Sequence, residues 1–246
     1  MKKPAKLSVV TSFYLVASLL GLGLFAVLAS SQTVPKTDFI WQKPITGTIF
    51  CVICILGILA GLSPSRCSRT THYKTTERSS SFAEKRGNED ETSMTFEGHH
   101  PTCSNFASHV LSVGERKLCA GCTGLVIGAI VSLAGSFIYF FVGLQIEEFS
   151  ALVFWLGFVG VLFGLLQYKI PSSNSLVHLI LNVNFVLGAF LLLIEANSTN
   201  ESLPLDLYFI VLSVYWILTR IELSRLEHRK KCLGCGRKSC GLSFNS

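Results

Sequence analysis

Hydrophobic residues form six long runs, and Lys or Arg enters a run only at its end. The runs cover residues 7–29, 45–62, 123–144, 149–168, 175–194 and 205–221. A helix of about 20 residues crosses the bilayer core, and each backbone amide there must be bonded within its own segment or within a closed barrel. Barrel strands would be only about 10 residues long and would alternate in polarity. The pattern therefore predicts an all-α polytopic membrane protein with six transmembrane helices and small cytoplasmic Cys/His-rich segments.

Composition supports a membrane protein. Half of the 246 residues are hydrophobic, 15% are charged, and the mean hydropathy is +0.51. Soluble domains carry about 25% charged residues, and a disordered chain would hold far fewer apolar ones. The first run could instead be a secretory signal, because Lys2, Lys3 and Lys6 precede it and small residues follow at 29–31. Signal cores have about 7–15 apolar residues, so we expect a retained anchor.

The positions of the basic residues predict the orientation. With residue 1 inside, the inner segments and helix ends hold 19 of the 21 Lys and Arg residues, leaving Lys36 and Lys43 outside. Such a bias sets membrane topology. We therefore expect a multi-pass protein of the cell membrane with both termini in the cytoplasm. Two glycosylation sequons, at Asn197 and Asn200, fall in the last predicted outer loop and agree with this orientation.

The same map divides the chain into five regions. They are the first two helices (1–62), a disordered cytoplasmic linker (63–98), a Cys/His module (99–122), four helices (123–221) and a basic, Cys-rich tail (222–246). The expected partners are the lipid bilayer and anionic head groups, which attract nearby cations at about 1 kcal/mol each. No nucleic acid is expected, and composition identifies no protein partner.

The Cys/His module has the spacing of a four-ligand metal site. Its ligands would be His100, Cys103, Cys119 and Cys122, in the pattern His-x2-Cys-x15-Cys-x2-Cys. Two such pairs facing each other form a tetrahedral zinc site. His99 or His109 could replace His100, and free thiols with surface histidines are the simpler alternative. Because the cytoplasm is reducing, we expect no lasting disulfide.

The tail holds a second group of candidate ligands: His228, Cys232, Cys235 and Cys240. The Cys-x2-Cys-x4-Cys part resembles the opening of a zinc knuckle, so one or two zinc ions are expected. An iron–sulfur cluster prefers four thiolates, and only three are local. A shared site with Cys119 and Cys122, or a frayed tail with free thiols, remains open. Cys51 and Cys54 have the character of small hydrophobic residues within a span.

A family resemblance follows from the motif around the first group. The run His99-His100-Pro101-x-Cys103, followed by Cys119-Ala120-Gly121-Cys122-Thr123-Gly124, resembles the membrane-protein family called domain of unknown function 2085. The resemblance covers roughly residues 98–145, and Gly121 stands where that family often has Arg. It implies a multi-span membrane protein with an uncharacterised Cys/His site, and it implies no reaction.

Three functions fit these observations. The first is a non-catalytic membrane protein with a structural zinc site. The second is a thiol–disulfide oxidoreductase that uses Cys119 and Cys122 at a helix start, although the sequence shows no charged partner for them. The third is a small transporter that uses a polar stripe formed by Asn174, His178 and Asn182, although it lacks charged residues in mid-membrane.

Glycines four residues apart also predict close helix packing. The pairs are Gly57 with Gly61, Gly124 with Gly128, and Gly160 with Gly164.

Overall fold

The computed structural model describes residues 9–30, 40–62, 96–97, 100–101, 109–114, 116–144, 147–170, 174–200 and 202–234. Six of its helices are long and apolar enough to cross a membrane, which confirms a helix at each of the six apolar runs. They are α1 (Val9–Ser30), α2 (Gln42–Leu62), α3 (Ala120–Ser136), α4 (Ser150–Leu166), α5 (Ser175–Asn200) and α6 (Leu203–Gly234). Most of the predicted linker, 63–95, lies outside the described residues.

Two helices are longer than the apolar runs that predict them. Helix α5 continues to Asn200, and α6 continues to Gly234. The extension of α6 contains Leu, Glu, Arg and Lys, which favour helix without needing an apolar environment. Arg225 also bonds to Glu222 one turn earlier. Residues 222–234 are therefore helical, where the sequence predicts the start of a tail.

Helix α3 ends in an unusual turn. After Ser136 the chain forms a π-helical turn, Phe137–Val142, and stops at Gly143. Gly143 has a φ of +90°, and its N–H donates to the carbonyl of Ile138 at 3.2 Å. Glycine suits this end because a left-handed residue with a side chain would be strained.

Helix α5 lies at the centre of the bundle and packs closely on both α3 and α4. A Cβ on Gly128 of α3 would lie 3.1 Å from the carbonyl oxygen of Val183. One on Gly160 of α4 would lie 2.6 Å from the carbonyl oxygen of Asn184. Backbones meet at these crossings, as the small-residue pairs predict. Gly57 differs, because a Cβ there would meet none of the described residues within 4 Å.

A short hairpin leads directly into α3. Strand β3 (Val110–Val113) pairs antiparallel with β4 (Arg116–Cys119), with Val110 opposite Cys119. Gly114 has a φ of +61° at the turn, which suits glycine. Two further two-residue strands precede them: β1 (Phe96–Glu97) and β2 (His100–Pro101) also pair antiparallel. The sequence pattern predicts none of this β structure. The strands change the all-α description only in these connecting segments.

Helix α6 carries two buried charged residues that define the two ends of the bundle. Arg220 lies beside the start of α3, and we call this the cysteine end. Asp206 lies in the first turn of α6, and we call this the aspartate end. Between them, Trp216 donates from Nε1 to the carbonyl of Ser18 at 3.2 Å, which fastens α6 to α1.

Candidate functional site at the cysteine end

Two thiols stand at the first turn of α3. Cys119 is the N-cap residue, with extended backbone angles (φ −72°, ψ 120°), and Cys122 lies in the turn that follows. Both residues are half-buried. The Thr123 hydroxyl donates a hydrogen bond to the Cys119 carbonyl at 2.9 Å. A helix N-terminus stabilises a nearby thiolate, which is the form that binds metals and attacks disulfides.

A buried guanidinium approaches this thiol pair from α6. Arg220 is 8% exposed, and its electrostatic neighbours include Cys119, Cys122 and Glu227. Its Nη1 is buried and has no hydrogen-bond partner within the described part of the chain. The other two nitrogens are engaged by amide side chains. The thiol pair therefore has the charged neighbour that the sequence analysis does not find.

Arg220 fixes the orientation of the Gln167 amide and, through it, the tautomer of His178. Its Nη2 donates to Oε1 of Gln167 at 2.7 Å, and its Nε donates to Oδ1 of Asn182 at 3.2 Å. A guanidinium only donates, so the Gln167 oxygen must face it and the Gln167 nitrogen must face away. That nitrogen lies 2.7 Å from Nδ1 of His178. Nδ1 therefore accepts, and the ring proton of neutral His178 belongs on Nε2.

His178 also belongs to a cluster that joins the hairpin to the bundle. One ligand atom each of His109, His178 and Glu227 lies within 4.8 Å of the others. Nε2 of His109 lies 3.4 Å from a Glu227 oxygen, and the two imidazole rings stack with centroids 4.4 Å apart. These contacts hold the start of the hairpin against α5 and α6.

The cluster is an incomplete metal site as it stands. A metal needs a lone pair from each ligand, and Nδ1 of His178 already accepts from Gln167. With a proton on Nε2, the ring of His178 has no lone pair left to give. His109 and Glu227 then remain as the candidate metal ligands of this group. The geometry of this cluster therefore fits a polar network better than a three-ligand metal site.

The predicted ligands fall into two groups. Cys119 and Cys122 are described, and both lie close enough to Arg220 to interact with it electrostatically. For the others the described residues give at most the backbone: His100 lies in the second two-residue strand, and His228 and Cys232 lie in α6. Cys103, Cys235 and Cys240 lie outside the described residues. Both four-ligand sets therefore stay predictions.

The polar stripe divides in the structure. His178 and Asn182 enter the Arg220 network, and Asn182 also donates to the His178 carbonyl at 2.6 Å. Asn174 is exposed and accepts from the backbone N–H of Leu176 at 2.9 Å, so it caps the start of α5. The sequence pattern does not identify Gln167 as a partner of His178, although a single amide at the end of an apolar run is a usable signal.

Comparison with known protein families, with curated proteins and with solved structures finds no match to this chain. The resemblance to the domain of unknown function 2085 family therefore stays a prediction.

Proposed function

We propose that this integral membrane protein holds a zinc ion at its cysteine end in a non-catalytic, structural role. The ligands would be Cys119, Cys122, Cys103 and His100, as the spacing predicts. The observation that carries the proposal is the register of the hairpin, which places Val110 opposite Cys119. Paired residues lie about 5 Å apart, so the first residue of β3 lies close to Cys119. Seven residue steps then join Cys103 to that point.

The charge near the thiols supports a ligand set with three cysteines. Zinc bound by three thiolates and one neutral imidazole carries a single negative charge overall. A buried negative charge is costly unless a cation lies close to it. Arg220 is such a cation, and it interacts electrostatically with both described thiols. A set of two cysteines and two histidines would be neutral and would leave this cation without a counter-charge from the metal site.

The proposal includes an orientation. The cysteine end faces the cytoplasm, because the basic residues concentrate in the segments that connect helices at that end. The protein is then a multi-pass protein of the cell membrane, with anionic lipid head groups around its basic segments. A second zinc ion, held by His228, Cys232, Cys235 and Cys240, is part of the same proposal.

Zinc content per chain tests the proposal directly. Protein purified without added metal should contain at least one zinc ion, measured by elemental analysis with the thiols verified as reduced. Cys119→Ser, Cys122→Ser and Cys103→Ser should each remove the same ion. Cys54→Ser is the matched control, because Cys54 is buried in α2, away from the predicted ligands, and it should retain the ion.

Deletion of residues 235–246 separates the two ligand groups. It removes Cys235 and Cys240 and should leave the first ion bound. Zinc near zero in fully reduced wild-type protein would contradict the zinc site. Retention in Cys103→Ser with loss on deletion would instead place the ion in a site shared with the tail.

Arg220 also favours a second candidate, a thiol–disulfide oxidoreductase. A cation beside a Cys-x-x-Cys pair at a helix N-terminus is the setting of reactive thiols. In that reaction one thiolate attacks a substrate disulfide and releases a thiolate. The second cysteine then resolves the mixed disulfide, so the pair is oxidised as the substrate is reduced. Acid trapping of cells followed by a mass-shifting thiol reagent distinguishes the candidates: an oxidised Cys119–Cys122 fraction supports the enzyme, and a fully reduced pair with bound zinc opposes it.

A further inference from the structure

A buried carboxylate at the aspartate end is bonded on one side only. Asp206 has no exposed surface. Its Oδ2 accepts hydrogen bonds from Gln42 at 3.0 Å, from Thr46 at 2.9 Å and from Asn197 at 2.7 Å. Its Oδ1 is buried and has no hydrogen-bond partner among the residues that the structure describes. Buried polar atoms nearly always have a hydrogen-bond partner, so we expect a partner for Oδ1 as well.

A proton on Oδ1 would remove the charge of the carboxylate, but the resulting hydroxyl would be a donor that itself needs an acceptor. A cation satisfies a carboxylate oxygen directly and also offsets its buried charge. The nearest basic residue on α2 is Lys43, whose side chain is exposed and whose ammonium lies 5.4 Å from the ring centre of Tyr139. The buried Glu195 accepts from Ser150 at 2.7 Å instead.

Asn197 connects this carboxylate to the hydroxyl of Tyr139. Asn197 donates to Asp206 and presents its Oδ1 to the Tyr139 hydroxyl at 3.2 Å. Ser132 and Ser136 lie one turn apart near the end of α3, just before the π-helical turn that contains Tyr139. Both serine hydroxyls are buried and lack a hydrogen-bond partner in the described residues. Carboxylate, amide and hydroxyl oxygens are the ligands that hard cations prefer.

We infer that the aspartate end binds a monovalent alkali cation at Oδ1 of Asp206. One carboxylate supplies a single negative charge, and the side chains bonded to it are neutral. Calcium sites gain affinity from several charged ligands, which the described residues do not bring to this point. The cation would join α2, α5 and α6, the three helices that already meet at Asp206 through Gln42, Thr46 and Asn197.

Thermal unfolding of the full-length protein in detergent tests the inference. The midpoint is measured by tryptophan fluorescence in NaCl, KCl and N-methyl-D-glucamine chloride at one ionic strength. A bound ion at tenfold excess over its Kd should raise the midpoint by about 3 °C or more, and the rise should saturate. Asp206→Asn should abolish the difference between salts. Glu195→Gln is the matched control, because it removes another buried carboxylate at this end, and it should keep the difference.

Each alternative gives a result that contradicts the inference. Equal wild-type midpoints in sodium, potassium and N-methyl-D-glucamine would mean that water or a neutral contact satisfies Oδ1. An unchanged salt difference in Asp206→Asn would place the ion elsewhere. A difference that appears only in Lys43→Met would make the Lys43 ammonium the counter-charge. If Asp206→Asn does not fold, Thr46→Val keeps the carboxylate charge and should raise the apparent Kd for sodium several-fold.

Discussion

Adding one methyl group at Gly188 should force α4 and α5 apart. A Cβ at this position would lie 2.7 Å from the carbonyl oxygen of Gly157 and 2.9 Å from the backbone nitrogen of Val161. Both contacts are to backbone, so no side chain can rotate away and the helices themselves must shift. Overpacking of this kind costs about 1–3 kcal/mol. We therefore expect Gly188→Ala to lower the free energy of unfolding by that amount.

Gly57→Ala is the matched control. It makes the same chemical change in a helix of similar length, and within the part of the chain that the structure describes its Cβ would meet nothing within 4 Å. Alanine also has a higher helix propensity than glycine, by up to about 1 kcal/mol. Gly57→Ala should therefore leave stability unchanged or raise it slightly. The contrast between the two variants removes propensity from the comparison, because both gain the same methyl group.

Unfolding by sodium dodecyl sulfate from mild detergent micelles measures this contrast. Trp155 lies on α4 and Trp216 on α6, so their fluorescence reports packing on both sides of α5. Gly188→Ala should unfold at a lower mole fraction of the denaturing detergent than Gly57→Ala does. Equal stability of the two variants would refute the backbone contact between α4 and α5.

Three further outcomes follow from the structure. Arg220→Met should cost about 1–3 kcal/mol for each amide oxygen left without a donor, while Arg225→Met, at an exposed site on the same helix, should cost almost nothing in the same unfolding assay. Mass spectrometry of protein from a glycosylating host should find no glycan on Asn197, which is 1% exposed; a glycan there in folded protein would contradict the packing at the aspartate end. A membrane-impermeant thiol reagent should label Ile40→Cys on intact cells and Ser112→Cys only after permeabilisation, and the reverse pattern would invert the proposed orientation.

The six spans could be predicted because their signal is local. A run of about 20 apolar residues must be helical in a bilayer whatever its neighbours are. The glycine pairs at 124/128 and 160/164 were informative for a related reason, since close approach is their main use in membrane helices. Gly57 shows the limit of this signal: it has the same spacing to Gly61, but a Cβ on it would contact no described residue within 4 Å.

The polar networks could not be predicted, because they join residues far apart in the chain. Gln167 and Arg220 are 53 positions apart, and Gln42 and Asp206 are 164 apart. Each looks like a single polar residue at the end of an apolar run, where many polar residues simply face water. Only the arrangement of the helices makes them partners. In the same arrangement Asn197, the first residue of a sequon, is buried and donates a hydrogen bond to the Asp206 carboxylate.

The two buried charges on α6 have a consequence for assembly. A helix with an unpaired Asp and an unpaired Arg is costly to leave in lipid. The side chains that form hydrogen bonds with Asp206 and Arg220 all precede α6 in the chain, so they are already synthesised when α6 emerges. Helices α3, α4 and α5, by contrast, meet through glycines and need no charge pairing. Helix α6 is then the element that completes the bundle. A ribosome that stalls before α6 would leave the first five helices with amide groups that still lack their charged partners.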